Sequence, residues 1–143
     1  MVQQFDHERL DVYRLALGFI SWLSLLEEEL TRAGLLSRVR EIWGHLDRAS
    51  LSALFNTAEG NGKRQAKSRA AFFDIARGST TEAAACLDAL VAKGCCSNER
   101  IQEGKDMLVR IFSMLTRLVD RFENLGTGSR PVKEVSIEYE TDA

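Results

Sequence analysis

The sequence predicts an all-α fold, an antiparallel up-down-up-down four-helix bundle, and three observations carry that expectation. Apolar residues recur at alternating three- and four-residue steps in four stretches of about 25 residues each, the spacing of a helix face. Glycine and asparagine punctuate the stretches at Gly34, Gly60-Asn61-Gly62, Gly94 and Gly126. The single proline, Pro131, lies beyond the last stretch, so nothing upstream removes a helical N–H or clashes with a preceding turn. Short connections between consecutive helices then make them antiparallel neighbours.

The first helix is expected from near Asp6, whose carboxylate can cap it, to Ala33, with Gly34 as its stop. Val12, Ala16, Phe19, Leu23, Leu26 and Leu30 form one face. Leu10, Tyr13, Leu17 and Ile20 form a second, and Trp22 adds to the apolar surface. Two apolar faces exceed what one small core requires. The second is covered either by another helix of the same chain or by another subunit.

The second helix is expected from a Ser37 cap to Gly60, with Val39, Ile42, Leu46, Ala49, Ala53, Asn56 and Gly60 on its seam. The segment 61–65 reads as the bend, because glycine and asparagine tolerate positive φ. The third helix follows from Ala66 to Lys93, with Phe72, Ala76, Ser79, Ala83, Cys86 and Leu90 on one stripe. Phe73, Arg77, Thr80, Ala84, Leu87 and Val91 flank it. Ser97 or Asn98 can cap the fourth helix, whose seam is Ile101, Leu108, Ile111, Leu115, Leu118, Phe122 and Leu125, with Gly104 in the one gap. Residues 1–126 are thus one bundle domain. Residues 127–143 form an acidic tail expected to be flexible; its alternating VKEVSIEY segment lacks a partner strand.

Composition narrows the function classes. Apolar content of 45% and charged content of 28% are those of a soluble domain. A net charge of −2 argues against polyanion binding by the whole surface. Three cysteines, Cys86, Cys95 and Cys96, do not make a disulfide framework, and a reducing cytoplasm is the expected location. No signal peptide is visible, and the longest apolar run is well short of the roughly 20 residues that span a bilayer. No membrane partner is expected.

Catalytic chemistry finds no foothold. His7 and His45 are the only histidines, in neither the spacing nor the company of a di-iron site. Cys95-Cys96 alone cannot build a tetrahedral zinc site. Nucleophile-elbow, P-loop and dinucleotide fingerprints are absent. No metal, no cofactor and no enzymatic activity are expected.

Polar residues interrupt the apolar stripes instead. A hairpin closing near residue 64 sets Asn56 opposite Phe73, Ser52 opposite Arg77, and Arg48 opposite Thr81, beside Glu82. A buried network of Arg48, Ser52, Asn56, Glu59, Arg77 and Glu82 follows, either pinning helix register or forming a ligand or partner site. Between Ser37 and Gly78, eight basic residues face four acidic ones. Lys63, Arg64, Lys67 and Arg69 gather at the bend, either as an ordinary solvated helix end or as a phosphate-binding cluster. The bend itself carries no aromatic residue for base stacking.

These stretches resemble a known family. Phe5 with Leu10–Leu17, the run LDRASLSALFNTAEGNGKR (Leu46 to Arg64) and FFDIARGSTTEAAACLDAL (Phe72 to Leu90) are similar to the bacterial four-helix-bundle proteins encoded in 23S rRNA intervening sequences. That family usually carries an aliphatic pair where this chain has Phe55-Asn56-Thr57. The resemblance implies a homopentamer. It extends to the accessory variability determinants of diversity-generating retroelements, basic pentamers that bind nucleic acid and a reverse transcriptase. The implied role is a non-enzymatic oligomeric module that binds RNA or acts as a scaffold. The alternative is a protein–protein adaptor without nucleic-acid binding, contacting its partner through the acidic tail or the double-faced first helix.

Overall fold

The computed structural model describes residues 5–126. The tail expected over 127–143 lies outside the described residues. Among the described residues four α-helices make up the fold: α1 (Asp11–Arg32), α2 (Arg40–Gly62), α3 (Ala66–Ala92) and α4 (Asn98–Gly126). No strand occurs among the described residues, and no helix there is long and apolar enough to cross a membrane.

Helix α1 starts later than the sequence suggests. Asp6–Arg9 forms a 3₁₀ turn, and Leu10 is extended at φ −73° and ψ 130°. The break has a local cause. The Arg14 guanidinium donates to the carbonyls of Glu8 and Arg9, which a continuous helix would have used itself. At the other end Gly34 takes φ +72°, and the Leu35 N–H reaches back 2.9 Å to the Leu30 carbonyl. This is the left-handed glycine stop that Gly34 was expected to supply.

Ser37 does not cap α2. It lies in a second 3₁₀ turn, Leu36–Val39, which runs straight into the helix and buries Val39. The α2–α3 bend also differs. Asn61 and Gly62 remain helical, and the connection is Lys63-Arg64-Gln65. Lys63 and Gln65 are ordinary extended residues at φ −77° and −85°, so no left-handed residue is needed there. At the next connection Gly94 takes φ +76°, and Ser97 Oγ accepts the Arg100 N–H at 3.1 Å.

Helices α2 and α3 pair in opposite directions, as His45–Glu82, Ser52–Ser79 and Gly60–Phe73 contacts show. Gly60 is there for closeness, not turning. A Cβ on it would come 2.9 Å from the Phe73 ring and 3.2 Å from the Arg69 carbonyl. Both helices also bury alanines, Ala49 and Ala53 in α2 and Ala70, Ala76 and Ala83 in α3, among larger residues such as Leu46 and Leu87. Thr57 and Thr80 are buried too, each hydroxyl donating to the carbonyl four residues back, at 2.7 and 2.9 Å. Neither needs a partner across the seam.

Helix α4 packs antiparallel on α3 through Lys105–Asp88, Thr116–Arg77 and Phe122–Phe73 contacts. Against α1 it offers Gly104. A Cβ there would run into the Trp22 ring, so the glycine makes room for the indole. Arg100 then clasps Glu29 through paired bonds of 2.7 Å and lies 5.3 Å from the Trp22 ring. All six residues of the expected first face of α1 are buried. On the second face Leu10, Tyr13 and Ile20 are half-buried and Leu17 is exposed, as is Leu25 nearby.

Two glycines give opposite expectations. Gly78→Ala adds a Cβ into open space and is expected to raise stability by about 0.5–1 kcal/mol, since glycine is costly within a helix. Gly104→Ala forces the Trp22 ring aside and is expected to lower it by about 1–3 kcal/mol. The denaturant midpoint measures both. A pH dependence also follows. The Arg100 hydrogen bonds hold the Glu29 carboxyl below its usual 4.5. The bridge therefore contributes stability above that value and loses it as pH falls through the lowered folded value. Glu29→Gln is expected to flatten this acid limb in unfolding scans at a series of pH values.

Candidate nucleic-acid interface

The α2–α3 connection places Lys63, Arg64, Lys67 and Arg69 at one end of the bundle, and the four have different jobs. Arg69 is structural. Its Nε donates to the Lys63 carbonyl at 2.7 Å, and its guanidinium lies 5.1 Å from the Phe122 ring centre. It thereby closes the end of α2 and ties it to α4. Lys63 is shared, with Nζ 3.4 Å from the Glu59 carboxylate and 5.0 Å from the Phe72 ring. Arg64 and Lys67 are exposed, and no ion pair or hydrogen bond engages either side chain among the described residues. The first turn of α3 carries no acidic residue, and the Gln65 side chain does not cap it. The partial positive charge of that helix end adds to that of Arg64 and Lys67.

The six-residue buried network does not form. A smaller cluster of Ser52, Asn56 and Ser79 takes its place: the Ser52 and Ser79 hydroxyls are 2.7 Å apart, and Asn56 Nδ2 donates to the Ser52 carbonyl and hydroxyl at 2.9 and 3.1 Å. These three are half-buried. Ser52 meets Ser79 rather than Arg77, and Gly60, not Asn56, meets Phe73. Arg77 turns toward α4 instead, pairing with Asp74 at 2.9 Å, donating to Thr116 at 3.3 Å and lying over Phe112. Glu82 is exposed and pairs with His45 at 3.4 Å, while Glu59 is exposed and pairs with Lys63. Arg48 is exposed and folds back toward Gly44. The cause is spacing. Helices this close leave no room for an arginine between them, and long charged side chains move to the rim.

The structure also gathers residues that lie far apart in the sequence. Phe5 is 74% exposed and Phe55 57% exposed. Both line an open cleft of about 450 Å³, together with His7, Glu59, Gly62 and Lys63. The N-terminal turn is held over α2 by Asn61, whose amide donates to Asp6 at 2.9 Å. The turn is closed by the Phe5 N–H on the Glu8 carboxylate at 2.8 Å. His7 stacks near Phe5, with ring centres 5.7 Å apart, and meets Tyr13 edge-on at 4.6 Å. Phe55, Glu59, Gly62 and Lys63 follow helical spacing on one face of α2, a signal that was available in the sequence. The return of Phe5 to that face was not.

Other sites offer less chemistry. A cleft of about 570 Å³ at the start of α2 is bordered by Glu27, Thr31, Ser37, Arg40, Trp43 and Asp47, and the Thr31 hydroxyl is spent on the Glu27 backbone carbonyl at 2.8 Å. Among the described residues no three His, Cys, Asp or Glu side chains converge as metal ligands. The three cysteines are free thiols, and burial pushes the Cys86 and Cys96 thiols up.

A family model for the 23S rRNA-intervening sequence protein matches residues 8–117. The chain belongs to that family. No curated protein and no solved structure gave a match. The matched span takes in Phe55, Lys63, Arg64, Lys67 and Arg69, whereas Phe5 precedes it.

Proposed function

We propose that this member of the 23S rRNA-intervening sequence protein family is a non-enzymatic cytoplasmic module, an up-down-up-down bundle assembled as a homopentamer that binds RNA. The observation that carries the reading is the pair Arg64 and Lys67, exposed and, among the described residues, unpaired at the uncapped start of α3, with Lys63 beside them. A chain of net charge −2 confines polyanion binding to such a local patch. Exposed Leu17 and Leu25 on α1 supply apolar surface for a second subunit. A ring repeats the basic end, so that weak phosphate contacts from each copy add together.

A second reading, a protein-binding adaptor, is favoured by a different surface. Val109 is 63% exposed beside Phe112 in an apolar groove of about 290 Å³ between α3 and α4, floored by Ala84 and Leu108.

Salt dependence separates the two. With labelled RNA, Arg64→Gln plus Lys67→Gln is expected to weaken binding. The slope of log K against log salt is expected to fall by roughly 0.7 for each single-strand phosphate that these side chains neutralise in the wild-type protein. Arg69→Gln is expected instead to lower the unfolding midpoint. RNA binding that is absent, or indifferent to salt, leaves the adaptor. Sedimentation of the purified protein is expected to give five chain masses, and Leu17→Glu plus Leu25→Glu to reduce it. A sample that stays at one 16.0 kDa chain at high concentration rejects the assembly.

A further inference from the structure

We infer that the RNA taken by this protein is single-stranded, its unpaired bases stacked on Phe5 and Phe55 while Lys63, Arg64 and Lys67 hold the adjoining phosphates. This rests on the RNA-binding reading above and names the class of RNA.

Phe5 and Phe55 are the two phenyl rings of an otherwise largely polar cleft, and both face solvent, at 74% and 57% exposure. A single exposed apolar side chain needs no explanation. Two phenyl rings lining one cleft with a lysine are a different matter, because together they make a continuous apolar face beside a cation. The Phe5 ring is also held in place. His7 stacks on Phe5 at 5.7 Å and 20°, and Asn61 fixes the turn through Asp6. That side of the platform meets a base without first having to order itself.

Charge decides the occupant. Lys63 lies at the cleft wall, Arg64 follows it in the chain, and Lys67 opens α3. Aromatic faces bordered by cations are the recognition chemistry of unpaired nucleotides, since every base offers a π-face to a ring and a phosphate to a cation. Of the nearby carboxylates, Glu59 is paired with Lys63 at 3.4 Å, while Asp6 and Glu8 keep their charge but are tied into the turn, accepting from the Asn61 amide and the Phe5 N–H. A duplex does not fit this surface. Its bases are stacked on one another, and a phenyl ring reaches only those that are splayed out. With His7 as the one side chain in the cleft able both to donate and to accept hydrogen bonds, binding is expected to tolerate many sequences.

The test compares a short labelled pyrimidine-rich RNA with a duplex of the same length, by fluorescence anisotropy on the full chain. The wild-type protein is expected to prefer the single strand. Phe55→Leu is expected to weaken that binding by about tenfold with the salt slope unchanged, and Phe55→Tyr to restore it, because leucine keeps the apolarity but removes the stacking face. Phe5→Leu is expected to act in the same direction. Equal affinity for both RNAs, with Phe55→Leu binding as the wild type does, overturns the stacking while leaving phosphate binding intact. Failure of the wild-type protein to bind either RNA removes the RNA reading and this one with it. A Phe55→Leu protein that keeps its unfolding midpoint but changes its native mass makes the ring a subunit contact and also overturns the inference.

Discussion

Close approach of α2 and α3 is the constraint on which the rest of the molecule depends. Gly60 admits the Phe73 ring to within a distance no side chain would allow, and buried alanines continue the contact along both helices. At such a separation dispersion contacts are dense, and a core of small residues packs as well as one of large ones. The same closeness dictates which polar groups can stay inside. Thr57 and Thr80 remain because each satisfies its hydroxyl on its own helix. Arginines cannot, and they leave for the edges.

The second constraint is the fit of one large ring into one absent side chain. Trp22 occupies the space above Gly104, and that contact holds α1 against α4. Arg100 sits over the indole and reaches Glu29, so the ion pair and the packing reinforce each other at the same end. With α1 fixed in this rotation, Val12, Phe19 and Leu26 point inward, and Leu17 and Leu25 are left outside.

The basic end of the bundle owes its free charge to a division of labour among neighbours. Arg69 is consumed by the Lys63 carbonyl and Phe122, and Lys63 is partly neutralised by Glu59. What remains unengaged among the described residues is Arg64 and Lys67. The N-terminal 3₁₀ turn then lays Phe5 and His7 beside Phe55, turning a charged corner into one with an aromatic wall.

Much of this was legible in the sequence, and the boundary between what was and was not has a physical basis. Helix number, the buried face of α1, the glycine stops at Gly34 and Gly94 and the basic cluster follow from periodicity and from φ preferences, which act within one turn of chain. The register of α2 on α3 did not follow, because it is set by where Gly60 lets Phe73 in, a contact between two helices. Nor did the fates of Arg48, Arg77 and Glu82, since a stripe assigns a direction on one helix but not the distance to the next. Gly104 looked like a gap until Trp22 filled it. Phe5 joined Phe55 only through the fold of the turn between Phe5 and Leu10. Local chemistry made the helices; interhelical distance decided which of their side chains are buried, paired or free to bind.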